Sequence, residues 1–110
     1  MNEENKDTLK IIFEKQIALQ KVIGVTYNQQ YINNMALALM CEIHEILKET
    51  QWKPWRKQQT FNRENYLKEI VDAAHFLVNL CLAKDISSDE FFKAYLDKNE
   101  ENIKRQINGY

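Results

Sequence analysis

Two helical stretches carry pairs of carboxylates at a spacing that suits metal binding. Glu42 and Glu45 lie three residues apart among apolar neighbours, and Glu69 and Asp72 repeat this arrangement further along the chain. Three residues along an α-helix correspond to a turn of about 60° and a rise of about 4.5 Å, so each pair points one way and can reach one ion. If the two helices are antiparallel neighbours, the four carboxylates converge.

Hard oxygen ligands of this kind favour Mg²⁺, which keeps several of its waters and usually also binds substrate phosphates. Without cations, carboxylates buried this close together must take up protons. The pattern alone leaves open the alternative that each pair lies on an ordinary solvated helix face. A di-iron centre fits poorly, because such centres need two Glu-x-x-His elements. Only Asp72-x-x-His75 resembles one, and His44 faces away from the Glu42–Glu45 pair.

A cationic face is predicted near the C-terminus. Lys98, Asn102 and Arg105 recur at spacings of four and three, which places two cations and an amide on one side of a helix. The ordinary interpretation is a charged surface, with Glu101 and Lys104 beside it. Combined with an acidic metal cluster, this face could hold phosphates that Mg²⁺ bridges.

The elements that must position these side chains are helical throughout. With 110 residues, two Gly and one Pro, the chain is predicted to form a single domain over residues 1–110 with few tight turns. Apolar residues recur at helical spacing in four runs. The first opens at Asp7 or Thr8 and stops at Gly24, the second covers about Tyr27 to Thr50, the third follows Asn62 and reaches Cys81, and the fourth starts at Ser87 or Ser88 and stops at Gly109. We therefore predict an all-α four-helix bundle whose short core is completed by oligomerisation.

Charge and hydropathy exclude several other classes of protein. The net charge is −1, from 15 basic and 16 acidic residues, so the overall charge does not favour nucleic acid or an anionic membrane as a partner. The first seven residues lack the apolar core of a secretory signal, and no apolar run is long enough to span a bilayer. Cys41 and Cys81 lie in apolar helical stretches and are predicted to be buried, reduced thiols of a cytoplasmic protein.

Six stretches, which together cover nearly the whole chain from Leu9 onward, carry a family resemblance. They are 16–20 (QIALQ), 42–45 (EIHE), 52–57 (WKPWRK), 69–76 (EIVDAAHF), 95–106 (YLDKNEENIKRQ) and 108–110 (NGY). In these stretches the chain resembles the all-α nucleoside triphosphate pyrophosphohydrolases, MazG-like enzymes included, and most closely the dimeric dUTP diphosphatases. The acidic pairs define only the superfamily, whereas the motifs at 69–76 and 98–110 are much more specific to the dUTP-cleaving branch.

The resemblance implies a Mg²⁺-dependent enzyme that converts dUTP to dUMP and pyrophosphate in nucleotide-pool sanitation, as a homodimer or a dimer of dimers. The metal ligands that it implies are Glu42, Glu45, Glu69 and Asp72, with Glu42 as the catalytic residue that orients or deprotonates the attacking water. The phosphate-binding residues are Lys98, Asn102 and Arg105. The residues expected around the base are Gln16, Gln20, Trp55, Phe76 and Asn79.

The chain departs from the family pattern at three places. Gln20 stands where the family usually has Asn, and Asn79 stands where it has a small hydroxyl residue. A short link around residues 85–87 replaces inserted helices, and the chain stops at Tyr110 where the family extends a basic tail, a reduced form that would suit a phage. These departures affect base selectivity more than metal chemistry. The alternatives are therefore the same hydrolysis of another nucleotide such as dCTP, a non-catalytic nucleotide-binding or regulatory module, and a structural bundle without a ligand.

Overall fold

The computed structural model describes residues 6–109, which form four α-helices and no strand. The helices are α1 (Thr8–Ile23), α2 (Gln29–Lys48), α3 (Arg63–Leu82) and α4 (Ser88–Asn108). The predicted all-α class with four helices is confirmed. None of the described helices combines the length and the hydropathy needed to cross a membrane. Tyr110, the last residue of the motif at 108–110, lies outside the described residues.

Side-chain caps determine where three of the helices begin. Asp7, Asn62 and Ser87 each accept a hydrogen bond from a backbone N–H three residues ahead, at 3.0, 3.0 and 3.1 Å. Each bond satisfies one of the N–H groups that the first helical turn leaves without a partner. At the other end of α1, Gly24 has a φ of 81°, a left-handed conformation that favours glycine. The predicted boundaries of α1 and the predicted starts of α3 and α4 are thus confirmed.

The second helix is shorter than predicted at both ends. The side chain of Asn28 caps it by accepting a hydrogen bond from the backbone N–H of Tyr31 at 2.8 Å, so Tyr27 precedes the helix. At its C-terminus the N–H groups of Glu49 and Thr50 bond to carbonyls three residues back, which closes a tight turn. Apolar spacing does not reveal either boundary, because both are determined by local hydrogen bonds.

Helices α2 and α3 form the most closely packed pair, while α1 packs against α3 and α4. The pair is antiparallel, since Asn79 near the end of α3 contacts Met35 in the first half of α2, whereas Glu69 in the first half of α3 interacts with Glu42 further along α2. This is the arrangement that the convergence of the two acidic pairs requires.

A small apolar core joins α1, α3 and α4. Phe13, Val78 and Cys81 are buried, and the Phe13 ring lies 6.1 Å, centroid to centroid, from that of Phe91 on α4. The predicted burial of Cys81 is confirmed, whereas the prediction for Cys41 is wrong because that thiol is exposed on α2. The reason is that the apolar face of α2 away from α3 has no covering helix in the described part of the chain.

Several apolar side chains remain exposed on the helices of the closest pair. Leu37, Met40 and Ile43 on α2 and Leu67 on α3 are 55–65% exposed. The radius of gyration is 17.4 Å, well above the value of about 13 Å for a compact domain of this size. Exposed apolar surface of this kind is typical of an interface. Completion of the bundle by a second copy stays a prediction.

The small core makes Phe13 a sensitive position. We expect Phe13→Ala to lower the free energy of unfolding by about 3 kcal/mol, because the substitution leaves a cavity where α1 contacts α3 and α4. Urea unfolding followed by circular dichroism measures the change. The matched control is Phe92→Ala, since Phe92 is 55% exposed and should cost less than about 1 kcal/mol. Equal losses for the two variants would show that the core lies elsewhere.

Candidate metal and nucleotide site

Three carboxylates from the antiparallel pair of helices meet at one point. Glu42 projects from α2, and Glu69 and Asp72 project from α3. One ligand oxygen from each side chain lies within 4.8 Å of the other two. Oxygens at this separation can converge on a single divalent cation, which binds oxygen ligands at about 2.0–2.6 Å. The donor set is all hard oxygen, so it fits Mg²⁺ by chemistry as well as by spacing.

The fourth predicted ligand, Glu45, lies beside this cluster. Its carboxylate forms an ion pair of 3.7 Å with Lys48, one turn further along α2. Its negative charge still acts on Glu69, so the side chain is near the cluster even though it lies outside the closest group. The structure thus brings three of the four predicted metal ligands together and leaves the fourth at the edge.

Electrostatic repulsion is concentrated on Glu69. Desolvation raises the pKa of its carboxyl above the ordinary value of 4.5, and the charges of Asp72, Glu42 and Glu45 raise it further, together with a hydrogen bond to Glu42. The folded protein therefore holds this proton more tightly than the unfolded chain does. The corresponding stabilisation is complete below pH 4.5 and is lost as the pH rises through the raised pKa. A bound cation would relieve this repulsion by supplying positive charge.

A cavity of about 620 Å³ extends from the carboxylates towards α1. Residues of three helices line it, and they include Glu42 and Asp72 from the cluster. Four of the five residues predicted to surround a base also line it: Gln16, Gln20, Phe76 and Asn79. The cavity thus connects the place where a cation would be held with amide and aromatic side chains.

Buried amides line the end of the cavity away from the carboxylates. Gln16, Gln20 and Asn79 are only 4–5% exposed. Gln16 Nε2 donates to Asn79 Oδ1 at 2.6 Å, and Asn79 Nδ2 donates to the sulfur of Met35 at 3.3 Å. A thioether accepts hydrogen bonds and cannot donate them, so Met35 favours the orientation of Asn79 that turns its carbonyl to Gln16. Buried polar side chains with defined partners are held in place and can recognise a ligand.

Tyr31 and Met35 are site residues that the sequence motifs do not predict. Both line the cavity, and the Tyr31 hydroxyl donates to Gln20 Oε1 at 2.7 Å. Their positions on α2 carried a usable signal, since Tyr31, Met35 and Glu42 are four and seven residues apart. These spacings put all three side chains on the face of α2 that lines the cavity.

Trp55 is the one predicted base-binding residue that does not line the cavity. It is 73% exposed in the segment between α2 and α3, where its ring meets that of Trp52 edge to face at 6.2 Å. The ammonium group of Lys53 lies 5.0 Å from the Trp52 ring. The two tryptophans thus pack on each other and on a cation, and base binding by Trp55 stays a prediction.

The cationic face of α4 lies apart from the cavity. None of the described residues that line the cavity belongs to α4, which packs against α1. Lys98 and Arg105 form ion pairs with Glu101 at 3.3 and 2.6 Å on the same helix. Phosphate binding by Lys98, Asn102 and Arg105 therefore stays a prediction that the geometry of one chain does not test.

Comparison with known proteins finds similarity to one family and to relatives whose names refer to nucleotide hydrolysis. The model of a family described as dUTPase matches residues 8–92, a range that includes the clustered carboxylates and the buried amides of the cavity and ends before Lys98. A dCTP pyrophosphatase of Enterobacteria phage LZ5 is 38% identical over 71 residues, which cover 54% of this chain and 41% of the relative. A dCTP pyrophosphatase of Enterobacteria phage T4 is 31% identical over 71 residues, which cover 54% and 42%. The matched region thus spans about two fifths of these relatives, and no solved structure matches.

Repulsion within the cluster leads to a prediction about thermal stability with and without metal. At pH 8 and without divalent cations, we expect Glu69→Gln to raise the thermal unfolding midpoint, because it removes one of three converging negative charges. With Mg²⁺ added, the rise in midpoint should be smaller for the variant than for the wild type, since the variant lacks one charged ligand. Differential scanning fluorimetry measures the metal-free midpoint and its rise with Mg²⁺.

Glu100→Gln is the matched control, because Glu100 is exposed on α4 and pairs with Lys104 at 3.4 Å. It should change neither the metal-free midpoint nor the response to Mg²⁺. A Glu69→Gln variant that is destabilised without metal and responds fully to Mg²⁺ would contradict the proposed cluster.

Proposed function

The chain belongs to the dUTPase family, and from this premise we propose that it hydrolyses a pyrimidine deoxynucleoside triphosphate to the monophosphate and pyrophosphate. dCTP is the substrate that we place first, because the curated relatives are named dCTP pyrophosphatases. dUTP, which the sequence resemblance implies, is the second candidate and is supported by the description of the family.

The observation that carries this proposal is the shared cavity of about 620 Å³. Carboxylates suited to a cation lie at one end, and buried amides suited to hydrogen bonding lie at the other. A nucleoside triphosphate has the same polarity, with phosphates that need cations at one end and a base with donors and acceptors at the other. The volume lies in the range typical of small-molecule sites.

We propose that Glu42, Glu69 and Asp72 hold Mg²⁺, with Glu45 beside them. When bound, the ion neutralises phosphate oxygens and lowers the pKa of the attacking water. Glu42 and Asp72 belong to both the cluster and the cavity lining, and of these two the family resemblance favours Glu42 as the carboxylate that orients that water or accepts its proton. Glu69 belongs to the cluster but does not line the cavity, which favours a role in holding the ion.

The amide end of the cavity suits both candidate bases. Cytosine presents an amino donor at position 4, whereas uracil presents a carbonyl acceptor there, as thymine does. Gln16 donates one N–H to Asn79 and keeps a second N–H and its carbonyl oxygen, so it can pair with either edge. Because the amides suit both bases, the order of the two substrates rests on the names of the relatives. Phe76, which also lines the cavity, offers an aromatic ring for packing against the base.

Three further parts of the proposal concern phosphate binding, oligomeric state and cellular location. Lys98, Asn102 and Arg105 are proposed to bind phosphates, from the same chain or from a second copy. A homodimer or a dimer of dimers is supported by the exposed apolar side chains of α2 and α3. A cytoplasmic location is consistent with a protein that acts on the nucleotide pool.

The decisive experiment is a panel of deoxynucleoside triphosphates incubated with and without Mg²⁺, with pyrophosphate and monophosphates quantified. We expect turnover that requires Mg²⁺ and is fastest with dCTP, followed by dUTP. Glu69→Gln should lower kcat/KM by at least about 100-fold, because it removes a ligand from the ion that supports the reaction.

Circular dichroism shows whether the helical fold of Glu69→Gln is intact, and Glu100→Gln provides the active control. Full activity of Glu69→Gln would exclude the proposed cluster. Equal rates with all bases would retain the hydrolysis and remove the pyrimidine selectivity, while binding without turnover would indicate a regulatory module.

A further inference from the structure

The Tyr31 side chain is 7% exposed and lies in the wall of the cavity. Its hydroxyl donates to Gln20 Oε1 at 2.7 Å, which links the start of α2 to the end of α1. The neighbouring Tyr27 ring packs edge to face against it at 5.2 Å. Tyr31 does not belong to the carboxylate cluster, so the proposed metal chemistry gives it no role.

The direction of this hydrogen bond determines how the Gln20 amide is turned. Burial raises the pKa of Tyr31 to about 12, with a smaller contribution from Tyr27, so the hydroxyl keeps its proton throughout the working pH range. A flipped amide would turn its NH₂ towards the hydroxyl oxygen and leave the hydroxyl proton without its acceptor. Among the described residues, Gln20 Oε1 is the atom that accepts that proton. A buried donor without a partner is unfavourable, so the observed orientation is preferred.

We propose that Tyr31 is a positioning residue that holds the Gln20 carbonyl away from the ligand and turns the Gln20 NH₂ towards the base cavity. Gln20 therefore offers hydrogen-bond donors at a wall where an unrestrained amide would offer either a donor or an acceptor. This inference rests on the proposed function, since it concerns recognition of the nucleotide base.

Donors at this wall indicate which atom of the base they meet. Cytosine and uracil differ at positions 3 and 4, but both carry a carbonyl oxygen at position 2. The Gln20 NH₂, held in one orientation, suits this shared acceptor. Gln16 keeps both an N–H and a carbonyl oxygen, so it suits the edge at which the bases differ. We therefore assign the Gln20 NH₂ to O2 of a pyrimidine, whichever of the two nucleotides the protein prefers.

Steady-state kinetics of Tyr31→Phe tests the assignment, with the preferred nucleotide and its 2-thio analogue as substrates. Sulfur is a weaker hydrogen-bond acceptor than oxygen, so the wild type should prefer the oxygen substrate. Tyr31→Phe should raise KM for that substrate by about tenfold, the equivalent of one lost hydrogen bond. Its kcat should stay within about twofold, because the hydroxyl is not part of the carboxylate cluster. The preference for oxygen over sulfur should shrink, which a general loss of packing would not cause.

Tyr27→Phe is the matched control, since it removes a hydroxyl from the neighbouring ring, which lines a different cavity beside Phe13 and Ile17. It should behave like the wild type. If Tyr31→Phe fails to fold by circular dichroism, Gln20→Glu replaces it. That variant can still accept the Tyr31 hydrogen bond but offers no N–H, so it should also lose the preference for oxygen.

The outcomes separate this inference from the proposed function. Wild-type turnover combined with unchanged KM and unchanged oxygen preference in Tyr31→Phe would overturn the inference alone. Parallel losses in kcat and KM on both substrates would also overturn it, because they indicate a scaffold defect. If the wild type hydrolyses no nucleotide, the proposed function and this inference both fail.

Discussion

Like charges held within 4.8 Å of one another repel, and the pairing of α2 with α3 imposes that arrangement on three carboxylates, two of them half-buried. The repulsion is sustained because α2 and α3 are the most closely packed pair of helices, and because Asn79 on α3 donates a hydrogen bond to Met35 on α2. Folding thus retains a locally unfavourable cluster at a position that opens into a cavity. Such conflicts between local stability and arrangement are typical of functional sites.

Local chemistry made much of this fold predictable. Asp7, Asn62 and Ser87 are capping residues placed just before apolar periodicity begins, so they indicate the helix starts directly. The start of α2 was harder, because Asn28 follows an aromatic residue that fits the helical pattern equally well. The convergence of the carboxylates followed from their spacing once the helices were taken to be antiparallel.

Other parts of the site depend on packing that spacing does not reveal. Tyr31 resembles an ordinary core residue until the end of α1 is known to bring Gln20 against it. Glu45 has the spacing of a metal ligand, yet Lys48 competes for its carboxylate. Trp55 has an aromatic ring that could pack on a base, but this ring packs against Trp52 and does not line the cavity. In each case a contact with another side chain decides the outcome.

The distribution of buried surface along α4 has a consequence for motion. The helix contributes Phe91 to the core, whereas every described residue from 92 onward is exposed. Its later turns are therefore supported by their own backbone hydrogen bonds and by surface ion pairs, which contribute little free energy. Backbone amides there should exchange with solvent by local opening long before the rest of the protein unfolds. The cationic face thus lies on the part of the protein whose order a bound anion would change most.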